Sequence, residues 1–245
     1  MIYALRFGDN ALVLGQRLAA WTGHAPILEE DLALTNVALD LIGQARRWLA
    51  YAGECEGRGR DEDALAYFRD QHEFHNVLLV EQPNGDFAHT LARQFFFDRF
   101  HALALAALTD SRDERIAGIA GKAAKEVAYH AERSAEWIVR LGDGTDDSRA
   151  RMQSAIENLW PYTGELFLGD AVDAEMVGCG IGFDPAALRA AWHAAIASTL
   201  HEATLTLPAS TFAQAGGKRG RHSEHLSYLL AEMQAVRRGT VAERW

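Results

Sequence analysis

Apolar side chains recur at helical spacing along almost the whole chain. The clearest run starts after Pro26 and continues to Leu49, with apolar positions mostly three or four residues apart. Similar runs predict further helices at about 10–21, 61–80, 87–108, 111–141, 147–159, from about 170 onward, 184–207 and 226–236. β-Branched and aromatic residues alternate nowhere over a sustained stretch, so strands are not expected. The pattern therefore predicts an all-α protein.

Short polar signals mark where these helices begin. Asp61 and Asp86 are expected N-cap residues, and Asp184 precedes a proline at the first helical position. Ser111 and Glu114 have the spacing of a capping box. No linker divides the chain, so residues 1–245 are expected to form one domain. Its core is predicted to be a four-helix bundle of the second to fifth helices, with additional N- and C-terminal helices.

Charge and composition exclude several classes of protein. The chain has 245 residues and a formal net charge of −10, which argues against general nucleic-acid binding. It lacks the run of about 18 apolar residues that a membrane span needs, and its first residues do not form a signal peptide. Cys55 and Cys179 belong to no disulfide or zinc motif. A cytoplasmic location is therefore expected.

Four acidic residues interrupt otherwise apolar helix faces, namely Asp40, Asp70, Asp98 and Glu126. A buried charge of this kind is costly unless it is paired, protonated or bound to a metal. Ferritin-like di-iron proteins place single carboxylates on two helices and Glu-x-x-His pairs on the other two. The four acids follow that arrangement in order along the chain, which predicts a ferritin-like bundle with a related site.

The positions that hold histidine in such sites carry other residues here. Glu73 follows Asp70 at the third position, and Tyr129 follows Glu126 in the same way. A tyrosine phenol titrates near pH 10, so Tyr129 is a poor ligand at neutral pH. Nearby histidines such as His130 miss the required position by one or two residues, which turns each side chain by about 100° or more around the helix. We therefore expect a vestigial site without metal in this chain.

Several longer segments form an unusual and specific set. They read Leu-Thr-Asn-Val-Ala-Leu-Asp-Leu-Ile-Gly-Gln at 34–44, Leu-Val-Glu-Gln-Pro-Asn-Gly-Asp-Phe at 79–87 and Lys-Glu-Val-Ala-Tyr-His at 125–130. Others are Gly-Gly-Lys-Arg-Gly at 216–220, Glu-His-Leu at 224–226 and Leu-Ala-Glu-Met-Gln at 230–234. Together they resemble the C subunits of bacterial ring-1,2-phenylacetyl-CoA epoxidases, and the resemblance extends over essentially the whole chain.

This resemblance implies a structural, non-catalytic subunit of an oxygenase complex in aerobic phenylacetate catabolism. In that family the catalytic A subunit holds the di-iron centre, and the C subunit pairs with it and supports it. The partner is expected to bind most of the phenylacetyl-CoA, while a reductase supplies electrons. The resemblance thus implies no cofactor in this chain. A homodimer of the isolated chain stays an open alternative.

Two other functions also stay open on the sequence alone. One is an active di-metal oxidase or oxygenase with unusual, oxygen-rich ligands drawn from these acids and His130. The other is a plain helical binding module without an enzyme partner. If no metal is present, the clustered acids need positive partners or protonation. Lys122, Lys125 and Arg69 are the candidates for this pairing.

One glycine-rich loop concentrates positive charge on an acidic chain. Lys218, Arg219 and Arg221 lie in this loop and suit CoA phosphates or an acidic partner surface. A flexible, solvated loop is the simpler interpretation. His222 and His225 are three residues apart, but without nearby carboxylates this spacing is interpreted as incidental.

Aromatic residues are expected to pack rather than to recognise a substrate. The run Phe95, Phe96 and Phe97 covers three directions of its helix, so part of it is expected to face another subunit. The tryptophans with a predicted role in the core or an interface are Trp160, Trp192 and Trp245.

Overall fold

The computed structural model describes residues 1–240, and within that range it contains helices and no strand, which confirms the all-α prediction. The α-helices are α1 (Ile2–Ala19), α2 (Leu28–Glu56), α3 (Glu62–Tyr67), α4 (Leu78–Glu81), α5 (Phe87–Leu108), α6 (Glu114–Gly142), α7 (Asp146–Leu159), α8 (Ala171–Gly178), α9 (Arg189–Glu202) and α10 (Glu224–Gly239). Short 3-10 turns are Gln71–Glu73, Trp160–Tyr162, Gly164–Phe167, Pro185–Leu188 and Gly217–Arg219. No helix among these combines the length and apolarity needed to cross a membrane.

The chain divides into two compact units. The first contains Met1–Pro83 together with the stretch that begins at Gly216, and the second is Asn84–Ala215. The longest helices are α1 and α2 in the first unit and α5 and α6 in the second. Of the four long helices predicted for the core, three form as α2, α5 and α6, whereas the one at 61–80 does not, and α1 is instead the fourth long helix. The single-domain expectation stays a prediction.

In the first unit, α1 packs along α2. Phe7 stacks on the fully buried Trp48 with ring centroids 5.0 Å apart. The apolar positions of α2 recur at helical spacing and face this contact, so burial of one stripe holds the two helices together.

The predicted helix at 61–80 is wrong, because only α3, a 3-10 turn and α4 form there. Between the short helices, the chain is extended and buried, with Phe74 and Val77 almost inaccessible to solvent. Its backbone amides bond to side chains of α1: Asp9 accepts from the His75 amide at 2.8 Å, and Asn10 accepts from the Val77 amide at 2.8 Å. Side-chain acceptors therefore replace the helical hydrogen bonds of this apolar stretch.

In the second unit, α5 packs against α6, with α7 and α9 beside it. Phe95, Phe96 and Phe97 are all buried within the chain, so the expectation that part of this run faces another subunit is wrong. Trp192 lies in the core, 5.9 Å from Phe96 between ring centroids, and Trp160 is half-buried. The third tryptophan with a predicted role, Trp245, lies outside the described residues.

The helix ends confirm some sequence signals and correct others. Asp61, Asp86 and Asp184 each accept a hydrogen bond from a backbone amide as predicted N-caps. The cap of α6 is Asp113 instead of Ser111, whose hydroxyl donates to a backbone carbonyl elsewhere in the unit. Helix α1 begins earlier than expected, and the helix predicted at 184–207 starts as a 3-10 turn and ends at Glu202.

Candidate functional site

A group of polar side chains is buried on facing helices of the second unit. Gln94, Asp98 and His101 lie on successive turns of α5, while His130 and Ser134 lie one turn apart on α6. None of these five residues is more than 2% exposed. Because α5 is apolar around most of its circumference, it carries these polar side chains into the interior. We call these five residues the buried α5–α6 cluster.

Asp98 is the centre of this cluster. The Gln94 amide donates to Asp98 Oδ1 at 2.5 Å. Ser134, whose hydroxyl donates to the Ala131 carbonyl at 3.4 Å, also acts on the carboxyl group. Asp98 Oδ2 and His101 Nδ1 have no hydrogen-bond partner among the described residues. Buried polar atoms without partners are uncommon, because each one loses its bonds to water on folding. The cluster is therefore an incompletely satisfied polar group inside an apolar helix pair.

Burial changes the proton affinity of both titratable groups on α5. It raises the pKa of the Asp98 carboxyl to about 6, although the positive charge of His130 and the bonds from Ser134 and Gln94 oppose this shift. Burial, together with the charge of His130, lowers the pKa of His101 to about 3. Asp98 therefore takes up a proton just below neutral pH, while His101 stays neutral.

His101 follows Asp98 by three residues, and this i, i+3 spacing places the carboxylate and the imidazole on one face of α5. Sequence reasoning missed this pair, because it assigned Asp98 to a helix with a single carboxylate. The i, i+3 rule applied to every acid would have found it. His130 was not expected to be a ligand, because it lies one residue beyond the third position after Glu126. It nevertheless faces the same cluster from α6, one turn after Glu126.

Replacing Asp98 with asparagine is expected to change how stability depends on pH. The carboxyl pKa rises from 3.8 to about 6 on folding, so the contribution of Asp98 to stability is most favourable below the lower value and falls as pH rises through the upper one. A shift of this size corresponds to roughly 3 kcal/mol, and asparagine removes it. The stability of Asp98→Asn relative to wild type should therefore increase by up to that amount between about pH 4 and pH 7.

Urea denaturation over this pH range measures the effect. Asp147→Asn is the matched control, because the side chain of Asp147 is 75% exposed and its variant should show little change relative to wild type. Parallel pH curves for wild type and Asp98→Asn would show that Asp98 has an ordinary pKa in the folded protein.

The predicted Asp70 and Glu73 pair does not lie on a helix face pointing into a core. Asp70 is exposed and precedes the 3-10 turn that ends at Glu73. The Glu73 carboxylate accepts from the Asp70 backbone amide at 2.8 Å, and Asp70 Oδ1 accepts from Arg238 at 3.1 Å. The i, i+3 spacing therefore reflects the capping of a turn, so the expectation that this pair lies on a long helix is wrong, whereas a vestigial metal site stays a prediction.

The other predicted positions differ in burial. Asp40 on α2 and Glu126 on α6 are partly exposed, and Tyr129 on α6 is 52% exposed. Tyr129 therefore lies on the surface of its helix instead of replacing a buried ligand. Of the four acids selected from the sequence, Asp98 alone is buried.

The donor groups do not fit a di-iron pair. Within residues 1–240, no group of three or more His, Cys, Asp or Glu side chains is arranged to hold a metal ion. Asp70 and Glu73 are already engaged in a helix cap, and the positive charge of Arg133 acts on Asp98. The absence of a metal from this chain nevertheless stays a prediction, since binding has to be measured.

The positive partners differ from the three that the sequence suggested. Arg69 is 1% exposed and pairs with Asp9, which is fully buried. Arg238 is the partner of Asp70. The side chains of Lys122 and Lys125 are exposed on α6. Asp70 thus pairs with an arginine that was not among the three candidates, and the candidate Arg69 pairs with an acid that was not among the four.

The basic loop is packed against the first unit instead of being loosely solvated along its length. Gly217 is buried, and the backbone carbonyl of Lys218 bonds to the His75 ring at 3.1 Å. Arg219 and Arg221 are exposed and Lys218 is half-buried. The loop therefore presents its arginines from a fixed backbone, and their contact with CoA or an acidic partner stays a prediction.

Two glycines allow this loop to approach the backbone at His72 and Asn76 closely. An alanine at either glycine is expected to destabilise the protein. A Cβ atom at Gly217 would lie 2.1 Å from the Asn76 carbonyl oxygen, and one at Gly220 would lie 2.2 Å from the His72 carbonyl oxygen. Gly220 also has a φ of +74°, which side chains disfavour. We expect Gly217→Ala to lower the free energy of unfolding by about 3 kcal/mol.

Gly118→Ala on α6 is the control, because a Cβ there meets nothing within 4 Å. Removing a glycine from a helix interior should stabilise the protein by about 0.5–1 kcal/mol. Equal stabilities for the two alanine variants would contradict the packing of the loop.

His222 lies beside the basic loop and forms part of a buried polar network. Its Nδ1 lies 2.8 Å from Glu81 Oε2, and its Nε2 lies 2.9 Å from the Phe74 carbonyl oxygen. Glu81 also accepts from the Asn76 amide at 2.9 Å and from the Ser223 backbone amide at 2.6 Å. The expectation that no carboxylate lies near His222 is therefore wrong, because Glu81 pairs with it. The interpretation of the His222 and His225 spacing as incidental to metal binding stays a prediction.

Comparison with known proteins extends over the full chain. The family described as "Phenylacetic acid catabolic protein" matches residues 1–245. The chain is 52% identical over 243 residues to the C subunit of the 1,2-phenylacetyl-CoA epoxidase of Escherichia coli (strain K12). That similarity covers 99% of this chain and 98% of the relative.

Proposed function

Because the chain belongs to the family of phenylacetic acid catabolic proteins, we propose that it is the non-catalytic C subunit of a phenylacetyl-CoA epoxidase. The observation that carries this proposal is the 52% identity to the C subunit of the Escherichia coli enzyme over nearly the whole length of both chains. In the proposed complex, a catalytic A subunit holds the di-iron centre and binds most of the acyl-CoA. The cytoplasmic location expected from the sequence belongs to the same proposal.

The burial and the partners of the residues at the predicted metal positions support a non-catalytic role. A di-iron site needs several carboxylates and imidazoles converging on one point. Asp70 and Glu73 instead cap a turn, and Tyr129 is exposed. In the buried α5–α6 cluster, Asp98 is bonded to the Gln94 amide and affected by the charges of His130 and Arg133. Positive neighbours favour a bare carboxylate over one that shares a cation.

An exposed apolar face on α2 supports pairing with another subunit. Leu28, Leu32 and Leu39 are 69%, 55% and 61% exposed. Their spacing of four and seven residues places them on one side of the helix. Exposed leucines on one side of a helix are costly in water and are typical of a surface that a partner covers. We therefore place the contact with the catalytic subunit on this face.

Co-expression with the catalytic subunit tests the proposal. We expect a stable complex that epoxidises phenylacetyl-CoA, with iron bound to the partner and none bound stoichiometrically to this chain. Leu32→Glu should abolish co-purification, since it places a charge in the apolar contact. Val236→Glu is the control, because Val236 is 72% exposed and belongs to a different helix, α10.

A stoichiometric iron pair and oxygenase activity in the isolated chain would overturn the proposal in favour of an active di-metal enzyme. A chain that forms no complex with a catalytic subunit would instead favour a separate binding module. Homodimers that dissociate when the catalytic subunit is added would agree with the proposal, because one surface would serve both contacts.

A further inference from the structure

The first unit contains a cavity that the proposed function does not use. Its volume is about 470 Å³, within the range of about 300–1,000 Å³ that is common for small-molecule sites. The start of α1, the last turn of α2 and the turn that follows α2 line this space. The lining includes the thiol of Cys55 and the guanidinium groups of Arg58 and Arg60. The cavity therefore brings a nucleophilic side chain and positive charge together on a chain of net charge −10.

The accessible part of this cavity carries the thiol. Cys55 is exposed and forms no disulfide. Met1 and Ile2 also line the space, and they are 39% and 41% exposed. The first turn of α1, which begins at Ile2, contains no acidic residue that would repel an anion. A ligand can therefore reach the sulfur atom and an apolar surface without any rearrangement of the core.

Arg58 is the cation that a ligand can use. Arg60 bonds to both carboxylate oxygens of Glu56, so these two charges balance each other. Arg58 is exposed and forms no ion pair with any described residue. The hydrogen bond from Arg60 lowers the pKa of the Glu56 carboxyl despite its desolvation, and the charge of Arg58 acts in the same direction. Arg58 therefore lies near this end of α2 with its guanidinium still open to an anion.

The other charged or titratable groups of the cavity are neutral or already bonded. Arg69 forms the buried ion pair with Asp9, and Glu73 accepts from the Asp70 backbone amide at 2.8 Å. Burial lowers the pKa of His75, so its ring is neutral near pH 7. The surplus charge of the cavity is therefore positive, and it belongs to Arg58.

The turn that carries Arg58 is anchored on both sides. The Gly57 amide donates to the Gly53 carbonyl at 3.1 Å, where α2 ends. After Arg58, the Arg60 carbonyl oxygen packs so closely on Gly53 that a Cβ there would lie 2.1 Å from it. The chain on either side of Arg58 is thus fixed to the helix end that contains Cys55. Cation and thiol therefore keep a constant relation.

We propose that this cavity binds a small acidic thiol peptide in its disulfide form and that Cys55 forms a mixed disulfide with it. The Arg58 guanidinium binds a carboxylate of the peptide through two parallel hydrogen bonds. Cys55 loses its proton to water, and the thiolate attacks one sulfur of the bound disulfide. A new S–S bond forms as the old one breaks.

The other half of the peptide disulfide leaves as a thiolate and takes up a proton from water. One disulfide replaces another, so the reaction needs no further oxidant. This inference concerns the first unit and does not rest on the proposed place in an epoxidase.

Site-resolved mass spectrometry of the isolated full-length chain tests the proposal. Glutathione disulfide is the anionic probe, and bis(hydroxyethyl) disulfide is the uncharged one. Cys179 is the internal comparison, because it is also a free, exposed cysteine at the end of a helix. The preference for Cys55 over Cys179 should be at least about fivefold larger with glutathione disulfide than with the uncharged probe. The rate at Cys55 should saturate at millimolar glutathione disulfide, as expected for a bound complex.

Variants of two exposed arginines assign this preference to the cavity. Arg58→Gln should lower the rate at Cys55 with glutathione disulfide about fivefold, since it removes the cation that holds the peptide. The same variant should leave the rates with the uncharged probe unchanged, which also shows that it is folded. Arg46→Gln removes another exposed arginine, on α2 itself, and should leave all rates as in wild type.

Saturation together with dependence on Arg58 supports the proposal. An equal preference for Cys55 with both probes would overturn it, because accessibility alone would then explain the reaction. Equal rates in wild type and Arg58→Gln, or a rate at Cys55 that rises linearly without saturation, would overturn it as well.

Discussion

Replacement of Arg69 by methionine is expected to lower the free energy of unfolding by about 3–5 kcal/mol, because it leaves the buried carboxylate of Asp9 without its positive partner. The guanidinium bonds to both carboxylate oxygens of Asp9, and Arg69 and Asp9 are 1% and 0% exposed. It also donates to the Glu73 carbonyl at 2.9 Å and lies 4.2 Å from the Phe74 ring. The substitution therefore removes the charge that fixes the irregular segment before α4.

Urea denaturation measures this loss. Arg46→Met is the control, since Arg46 pairs with Glu62 at 2.9 Å but its side chain is 75% exposed. Exposed ion pairs contribute about 0–1 kcal/mol, so this control should remain close to wild type. Adding Asp9→Asn to Arg69→Met should recover part of the loss, because no buried charge then remains unpaired. A similar small effect for both arginine variants would contradict a stabilising role of the buried pair.

A second large effect is expected from His222→Gln, which should lower the free energy of unfolding by about 3–5 kcal/mol near pH 6. Both ring nitrogens of His222 face acceptors, one on Glu81 and one on Phe74. Only the doubly protonated ring donates from both nitrogens. The hydrogen bond and charge of Glu81 raise the pKa of His222 despite the opposing effect of burial. Glutamine removes the charge and leaves Glu81 buried.

The difference between wild type and His222→Gln should depend on pH in a defined direction. A raised histidine pKa means that the stabilisation is complete below the ordinary value of about 6.5 and is lost as pH rises through the folded value. We therefore expect the two stabilities to converge as the pH rises above about 6.5 and through the raised pKa of His222. His225→Gln changes a neighbouring histidine and should be close to wild type throughout. A difference that grows with pH would show that His222 is neutral in the folded protein.

These predictions bear on how the first unit is held together. The segment at 68–82 contains only a 3-10 turn and the single-turn helix α4, yet much of it is buried. Asp9 and Asn10 of α1 accept from its backbone amides, and His222 donates from Nε2 to the Phe74 carbonyl. Buried networks of this kind are costly when one member is lost, because the remaining groups keep the cost of leaving water. Stability in this unit therefore depends on a few polar side chains as well as on apolar packing.

Much of the fold could be predicted from the sequence. Apolar spacing identified α2, α5 and α6 and the absence of strands in the described range, because an amphipathic helix buries one stripe whatever its neighbours are. Aspartates at 61, 86 and 184 marked helix starts correctly, since N-capping is a local interaction. The long segments at 34–44, 79–87 and 125–130 indicated the family, which comparison over the full chain then showed.

The candidate site was predicted less well, for one physical reason. Sequence spacing gives the direction of a side chain only if the segment is helical, and the helix expected at 61–80 does not form. Asp70 and Glu73 have the right separation, but they cap a turn. In α5, which is helical, the same rule holds, and Asp98 and His101 do lie together in the interior.

The sequence by itself determined the helical class, the family and the helices whose apolar stripe repeats at a regular period, because these depend on local spacing and composition. Only the tertiary structure decided which charged residues are buried and with which partners. Arg69 meets Asp9 across 60 positions, and His222 meets Glu81 across 141. Such pairs follow from the folded path of the chain. Their free energy depends on exclusion of water, which no single segment of the sequence encodes.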